Sequence, residues 1–202
     1  AFGALLRAAM EGRPSLGAVE REDGLLEPHD GRIYLGDLHQ WAELDRIACA
    51  RVEGKALDVG CGAGRHSLHL QERGFDVTAI DPSIGACEVS RARGVRKVRQ
   101  IRVENVPRLQ ERFDTIVLLG NNLALLGSAE HAPTVLDALA QVASPNAKVL
   151  GGNRDPYRTD LQRHLDYHAH NRHRGLGLTP DGGHAVRRRL PSEGGSVRSV
   201  LG

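Results

Sequence analysis

The chain has 202 residues, of which 40% are hydrophobic and 3% aromatic, and its formal net charge is +2. This length suits one α/β domain with a substantial core and is short for two domains. The weak charge and scarce aromatic rings disfavour a nucleic-acid partner, and no apolar run is long enough to span a membrane. Three cysteines, Cys49, Cys61 and Cys87, lack metal-type spacing, so we expect a reducing compartment and a cytoplasmic location.

Residues 1–54 are predicted to form an N-terminal cap of helices and loops. Apolar residues recur at helical spacing in Ala4–Leu6 and again between Trp41 and Ala48. This region precedes the first predicted strand, so we treat it as a cap on the domain that follows.

Residues 55–155 show short apolar runs that alternate with longer amphipathic segments. This alternation is typical of a parallel sheet built from βαβ units. Residues 156–202 are instead rich in Arg, His and Gly, and we expect a polar, partly irregular segment with one polar helix over 161–172. The predicted strands of the core are 55–59, 75–80, 98–103, 114–119 and 148–150, and its predicted helices are 65–73, 83–94 and 128–143.

A glycine-rich turn follows the first predicted strand, in the run Asp58-Val59-Gly60-Cys61-Gly62-Ala63-Gly64. Glycines reach positive φ and let the backbone approach a ligand, while the following helix points unpaired N–H groups at it. In a dinucleotide-binding turn, G-x-G-x-x-G, the third glycine lets the helix pack closely on the strand. Gly60 and Gly62 fit this pattern, but Arg65 occupies the third place, which argues against a pyrophosphate in this turn.

Two carboxylates flank the turn. Asp58 lies at the carboxyl end of the first strand, where it is placed to bind a cationic amine directly or through water. Asp81 closes the second strand, where it is placed to accept hydrogen bonds from both hydroxyls of a ribose. Together the two acids suggest an adenosine that carries an amino acid.

These features resemble the class I S-adenosylmethionine-dependent methyltransferases over residues 54–155. The resemblance is carried by three segments in order, Leu57–His66, Ala79–Ser83 and Arg112–Val117. It implies a Rossmann-like three-layer α/β/α sandwich with a mostly parallel sheet. It also implies S-adenosylmethionine as cofactor and S-adenosylhomocysteine as product.

The same resemblance implies which residues bind the cofactor. In such enzymes the glycine turn passes under the methionine part, the acid after the second strand holds the ribose, and an acid after the third strand binds the adenine amine. The loop after the fourth strand lies over the crevice, where Asn121 or Asn122 is placed to bond the amino-acid end or the substrate. The implied cofactor-binding residues are Asp58, Gly60, Cys61, Gly62, Gly64, Asp81, Pro82, Glu104, Asn105, Gly120 and Asn121.

The expected activity is methyl transfer to oxygen or nitrogen of a small-molecule acceptor by in-line displacement. Methyl transfer from a sulfonium depends mainly on alignment and desolvation, so no universal catalytic residue is expected and none is assigned. His164 and His168 have the i, i+4 spacing of helical metal ligands, but Asp166 projects from another face, so we expect no metal site.

The C-terminal end departs from the family. An antiparallel hairpin normally completes the sheet, whereas only residues 184–188 and 196–201 remain here as short polar runs. Three explanations stay open: a truncated reading frame, pairing in a homodimer, or a protein that binds the cofactor without turnover. The alternatives to a methyltransferase are therefore a non-catalytic cofactor-binding module and, on the glycine turn alone, an NAD-dependent oxidoreductase.

Overall fold

The computed structural model describes residues 1–21, 23–127, 130–153, 159–173, 187–191 and 197–199. Short 3-10 helices span Gly31–Tyr34, Leu38–Gln40, Val103–Leu109 and Asn122–Leu126. The helices and strands follow in the order α1 (Phe2–Met10), β1 (Leu16–Glu20), β2 (Leu26–Asp30), α2 (Glu43–Ala50), β3 (Ala56–Val59), α3 (Arg65–Glu72), β4 (Val77–Asp81), α4 (Ile84–Ala92), β5 (Lys97–Gln100), β6 (Phe113–Leu118), α5 (Ala132–Val142), β7 (Ala143–Gly151), α6 (Gln162–His173), β8 (Arg187–Pro191) and β9 (Val197–Ser199).

The central sheet consists of five parallel strands in the order β5-β4-β3-β6-β7. The first strand of this sheet along the chain is β3, which lies in its middle. β4 and β5 follow on one side of β3, and β6 and β7 then follow on the other side. This reversal opens a crevice between the carboxyl ends of β3 and β6, where open α/β sheets bind ligands. The predicted α/β fold with a parallel sheet is confirmed.

Alternate residues of the strands enter two different cores. Ile116 and Leu118 of β6 pack with Leu139 of α5 on one face of the sheet. Val117 packs on the opposite face with Leu70 of α3. Because period-two alternation buries both faces of β6, helices must cover both sides, which gives the three-layer sandwich.

The core helices begin and end close to the predicted positions. Gly74, with φ +90°, follows the end of α3, and the Ser83 hydroxyl accepts a hydrogen bond from the Ala86 amide at 3.3 Å to cap α4. The strand predicted over 98–103 is shorter than expected, because β5 ends at Gln100 and a 3-10 helix begins at Val103. The predicted start of the third helix at residue 128 lies outside the described residues.

The prediction that residues 1–54 contain only helices and loops is wrong in one part. β1 and β2 form an antiparallel hairpin, in addition to the expected helices α1 and α2. Its turn contains Asp23-Gly24, with Gly24 at φ +85°, and the Arg21 amide donates to the Leu25 carbonyl at 2.8 Å. Asp-Gly is a hairpin signal that the helical reading of this region overlooked.

The C-terminal strands form a hairpin, but they join a second sheet. β8 and β9 pair antiparallel, and β8 pairs with β1, which gives a four-stranded sheet in the order β2-β1-β8-β9. Within the described part of the chain β7 pairs with β6 alone, so the parallel sheet lacks the usual closing hairpin there. The expectation of an incomplete hairpin therefore holds for the central sheet, while the strands themselves pair with the N-terminal region.

Two further helices pack outside the parallel sheet, α1 against α4 and α6 against the β1–β2 hairpin. Gly3 of α1 approaches Gly85 of α4 so closely that a Cβ on Gly3 would lie 2.6 Å from the Gly85 Cα. α6 contacts the hairpin, where the Arg21 guanidinium lies 3.8 Å from the centre of the Tyr167 ring. No helix in the described part is both long and apolar enough to cross a bilayer.

Candidate functional site

The glycine turn connects β3 to α3 at the crevice. Gly60, Gly62 and Gly64 all have positive φ, at +75°, +55° and +77°. A Cβ on Gly60 would lie 2.6 Å from the Asn122 Nδ2, and a Cβ on Gly64 would lie 2.6 Å from the Val95 Cγ2. Packing therefore requires glycine at both ends of the turn, in addition to the strain that any side chain would suffer at this φ.

The middle of the turn faces the N-terminal region. A Cβ on Gly62 would lie 3.8 Å from the Phe2 ring and 4.0 Å from the Tyr34 ring. The Tyr34 hydroxyl is in turn 2.8 Å from the His29 Nε2. The N-terminal region thus covers the middle of the turn, and the covering residues include the paired Tyr34 phenol and His29 imidazole.

Asp58 lies beneath the turn and is 1% exposed. Its Oδ2 accepts a hydrogen bond from the Ser67 hydroxyl at 2.5 Å, whereas its Oδ1 is buried without a hydrogen-bond partner among the described residues. Burial raises the pKa of the Asp58 carboxyl above its ordinary value, although His66 and Ser67 act in the opposite direction. An unpartnered buried oxygen at this place is an acceptor for a ligand N–H group.

Asp81 ties the turn to the next helix. Its Oδ2 accepts a hydrogen bond from the Gly62 amide at 3.0 Å, and its Oδ1 accepts one from the Ser83 amide at 2.8 Å. The structure therefore brings Asp81 and Gly62, two of the predicted site residues, together. Pro82 next to them is exposed, at the carboxyl edge of the sheet.

Cys61 contributes its backbone to the turn and its side chain to the core. The Cys61 Sγ lies 3.6 Å from the Ser90 Oγ and packs among Ala79, Cys87 and Val98. Burial raises the pKa of this thiol well above its ordinary value, so it is not a reactive thiolate. Of this predicted site residue, only the backbone is placed to contact a ligand.

The loop after β6 closes the other side of the crevice. Gly120 and Asn121 have φ +67° and +78°, and Asn121 is exposed. Asn122 clamps the glycine turn, because its Nδ2 donates to the Val59 carbonyl at 2.9 Å and to the Gly60 carbonyl at 2.7 Å. The Asn121-Asn122 pair marks this loop in the sequence, but only the fold shows which of the two holds the turn.

Asp45 on α2 is a site residue that the sequence analysis missed. Its Oδ1 accepts a hydrogen bond from the Gly120 amide at 3.1 Å, and its Oδ2 lies 3.3 Å from the Arg65 Nη2 and 3.4 Å from the His66 Nε2. Burial opposes ionisation, but these contacts outweigh it and hold the pKa of Asp45 below its ordinary value. The available signal was an acid at a helical position spaced with the buried Trp41 and Cys49.

Glu104 lies in the 3-10 helix that follows β5. Its Oε1 is 3.3 Å from the Arg102 Nη2 and 3.4 Å from the His131 Nε2, whereas its Oε2 is buried without a hydrogen-bond partner within the described part of the chain. Burial opposes ionisation, but the hydrogen bonds, including one from its own backbone, keep the pKa of Glu104 below its ordinary value. The neighbouring Asn105 donates its amide to the Arg102 carbonyl at 3.0 Å.

The polar helix predicted over 161–172 is present as α6 (Gln162–His173), which contacts the β1–β2 hairpin. His164 Nε2 lies 3.1 Å from the Glu27 Oε1, across the contact with the hairpin. The described residues contain no group of three or more His, Cys, Asp or Glu side chains placed to hold a metal ion.

Comparison with a library of family models gives one domain match. Residues 56–146 match the family described as "Methyltransferase domain". The matched segment runs from the start of β3 into β7, so it contains the glycine turn, Asp81, Glu104 and the loop after β6.

Curated relatives match over about half of this chain. It is 37% identical over 125 residues to a "Glycine/sarcosine N-methyltransferase" of Aphanothece halophytica, which covers 56% of this chain and 43% of the relative. It is 33% identical over 117 residues to a "Ubiquinone biosynthesis O-methyltransferase" of Alkalilimnicola ehrlichii, which covers 52% of this chain and 44% of the relative. The chain thus spans less than half the length of these relatives.

A solved structure matches over nearly the whole chain. This is a SAM-dependent methyltransferase from Bacteroides fragilis, solved in complex with S-adenosyl-L-homocysteine, with a TM-score of 0.73 and 24% identity. The match covers 98% of this chain and 78% of that one. At this identity the likeness shows a shared fold.

Proposed function

Because this chain belongs to the class I S-adenosylmethionine-dependent methyltransferases, we propose that it binds S-adenosylmethionine at the glycine turn and transfers its methyl group to a small-molecule acceptor. The acceptor atom is proposed to be nitrogen or oxygen. The proposal keeps the cytoplasmic location expected from the cysteine content, and the three cysteines are free and buried.

One observation carries the proposal. Two buried carboxylate oxygens, Asp58 Oδ1 and Glu104 Oε2, have no hydrogen-bond partner among the described residues. Asp58 lies on β3 and Glu104 follows β5, on either side of β4, which ends at Asp81. S-adenosylmethionine has an ammonium at one end, an adenine amino group at the other and a ribose between them. Buried acceptors without partners are costly, so a ligand with donors at both ends fits this edge of the sheet.

The proposed cofactor site uses the residues expected from the sequence. Asp58 accepts from the ammonium, Asp81 from the ribose hydroxyls and Glu104 from the adenine amine. The complete proposed set is Asp58, Gly60, Cys61 through its backbone, Gly62, Gly64, Asp81, Pro82, Glu104, Asn105, Gly120 and Asn121.

The sulfonium of the bound cofactor would supply an activated methyl carbon, so the main tasks of the protein are to align the acceptor with it and to exclude water. With the cofactor bound, a nitrogen or oxygen acceptor held in line with the C–S bond would take the methyl group, sulfur would keep the electron pair, and the acceptor would lose a proton to solvent. Orientation of this kind lowers barriers by about 7–11 kcal/mol in favourable cases. Asn122 holds the turn in place, and Phe2 and Tyr34 exclude water from its middle.

The acceptor class rests on two further points. One relative is named as an N-methyltransferase of glycine and sarcosine, and the other as an O-methyltransferase of ubiquinone biosynthesis. In this chain α6 packs against the β1–β2 hairpin, and we propose that the two border the acceptor pocket.

Titration calorimetry and a transfer assay test the proposed function. We expect binding of S-adenosylmethionine and S-adenosylhomocysteine and no binding of NAD. Incubation with methyl-labelled S-adenosylmethionine and a metabolite extract, with glycine and sarcosine as separate probes, is expected to yield a labelled small molecule. Binding of NAD alone would contradict the cofactor assignment. Cofactor binding without transfer to any fraction would instead favour a non-catalytic binding module.

A further inference from the structure

Arg65 lies between the two loops that form the crevice. It is the first residue of α3, directly after Gly64, and its side chain is 17% exposed. Its Nη1 donates to the Ile33 carbonyl at 3.0 Å, and its Nη2 lies 3.3 Å from the Asp45 Oδ2. The same Nη2 is 3.1 Å from the place that a Cβ on Gly120 would occupy.

The guanidinium of Arg65 has donors to spare. It carries five N–H groups, and the structure gives partners to two of them among the described residues, the Ile33 carbonyl and Asp45. Three N–H groups therefore have no protein partner among the described residues. Burial lowers the pKa of Arg65, but a guanidinium stays charged in proteins. A largely buried cation with unused donors is suited to a carboxylate, which it binds through two parallel hydrogen bonds.

The charges around Arg65 leave room for a further anion. The Asp45 carboxylate lies near Arg65, His66 and the Gly120 amide, so it does not neutralise the charge of Arg65 alone. Asp58, the other nearby acid, bonds Ser67 beneath the turn. Asp45 and the Ile33 carbonyl hold the Arg65 guanidinium in place.

We infer that Arg65 binds the α-carboxylate of the cofactor's amino-acid end, opposite Asp58, which accepts from the α-ammonium. A cation and an anion on the two sides of the glycine turn recognise the zwitterion. This assignment rests on the proposed cofactor, and it explains the residue that breaks the dinucleotide pattern. The side chain in the third glycine position selects a ligand that carries a carboxylate there.

Calorimetry with two ligands and matched variants tests the assignment. The ligands are S-adenosylhomocysteine and its α-carboxamide, which differ only in the charge of the group assigned to Arg65. The variants are Arg65→Gln, Arg65→Lys and the control Arg46→Gln, which changes an exposed arginine on α2. A charged hydrogen-bonded pair is worth about one to two powers of ten in affinity.

The unsubstituted chain should therefore prefer the carboxylate ligand by about 10- to 100-fold. Arg65→Gln should lose that preference to within about threefold while it keeps its affinity for the carboxamide. Arg65→Lys should retain part of the preference, and Arg46→Gln all of it.

Three results would overturn the assignment. An unsubstituted chain that binds both ligands equally contradicts it, whatever the variants do. An Arg65→Gln variant that weakens both ligands by the same factor shows a structural role only, and one that keeps the preference shows that another residue binds the carboxylate. If the unsubstituted chain binds neither ligand, the proposed function itself fails and takes this assignment with it.

Discussion

Two buried aspartates at the same edge of the sheet have opposite electrostatic environments. Asp45 comes from the N-terminal region, and the Gly120 amide, Arg65 and His66 converge on it. Asp58 comes from β3 and has the Ser67 hydroxyl as hydrogen-bond donor. The pKa of Asp45 is accordingly lowered and that of Asp58 raised, although both side chains are at least 95% buried.

The donors around each carboxyl, together with the deeper burial of Asp58, account for the opposite directions of the two pKa shifts. Burial penalises both carboxylates, and only Asp45 meets enough N–H groups to offset the cost. Asp45 therefore joins the N-terminal region to both crevice loops. Asp58 is left with an unpartnered oxygen, as a group that awaits a ligand would be.

Removal of Asp45 should produce the largest loss. Asp45→Ala leaves the Gly120 amide without its acceptor and the buried Arg65 without its carboxylate partner, so we expect the free energy of unfolding to fall by about 2–4 kcal/mol. Urea denaturation measures it. The control Glu43→Ala, exposed on the same helix, should change this quantity by no more than about 0.5 kcal/mol. Similar losses in both variants would show that the Asp45 contacts contribute little.

Substitution of Asn122 tests whether uncharged hydrogen bonds between the two crevice loops also stabilise the fold. Asn122→Ala removes two hydrogen bonds to the glycine turn and should cost about 1–3 kcal/mol of unfolding free energy. Affinity for S-adenosylhomocysteine should fall too, because the turn is no longer fixed. Asn122→Asp should be worse than alanine, since a carboxylate would face the Val59 and Gly60 carbonyls. An aspartate variant as stable as the original chain would contradict the clamp.

Asp58 should show its effect as a slope with pH. Its pKa is higher in the folded state, so the folded chain holds a proton that the unfolded chain releases, and this contribution is lost as pH rises above about 4 towards the folded pKa. Asp58→Asn removes the effect, so the variant should gain stability relative to the original chain as pH rises.

Asp45→Asn provides the opposite control for that slope. Its lowered folded pKa contributes stability above the unfolded value of about 3.9, and this stability is lost as pH falls below it. The cost of Asp45→Asn should therefore shrink in acid. Urea denaturation over a pH series measures both variants, and slopes of the same sign would contradict the comparison.

The smallest effect is expected where the N-terminal region meets the sandwich through exposed charges. Arg7 of α1 pairs with Glu88 of α4, and both side chains are about half exposed. Arg7→Gln should change the free energy of unfolding by about 0–0.5 kcal/mol, because surface pairs are screened by water and salt. A loss as large as that of Asp45→Ala would show that the N-terminal region is held from its surface instead.

The sequence predicted the central sheet because its signals are local. β3, β4 and β6 are apolar runs next to glycine or acidic residues, and Ser83 and Gly74 mark helix ends within a turn of where the structure has them. The predicted Asp81 likewise bonds the glycine turn, because carboxyl ends of adjacent parallel strands share one edge.

The rest depends on pairing between distant segments. β1 pairs with β8 across most of the chain length, and no local pattern specifies such a distant partner. Asp45 is about twenty residues from Arg65 and far from Gly120 in sequence, so its role became visible only with the fold. The Asp23-Gly24 pair is a hairpin signal in the sequence, but helical spacing before and after it led us to predict only helices and loops in this region.

A crystal structure of the chain grown with S-adenosylhomocysteine tests the central claim most directly. We expect the ligand across the Gly60–Gly64 turn, with its ribose hydroxyls within about 3 Å of the Asp81 carboxylate and its adenine amine at Glu104. A ligand bound elsewhere on the chain, with Asp81 and Glu104 bonded to protein groups alone, would contradict it.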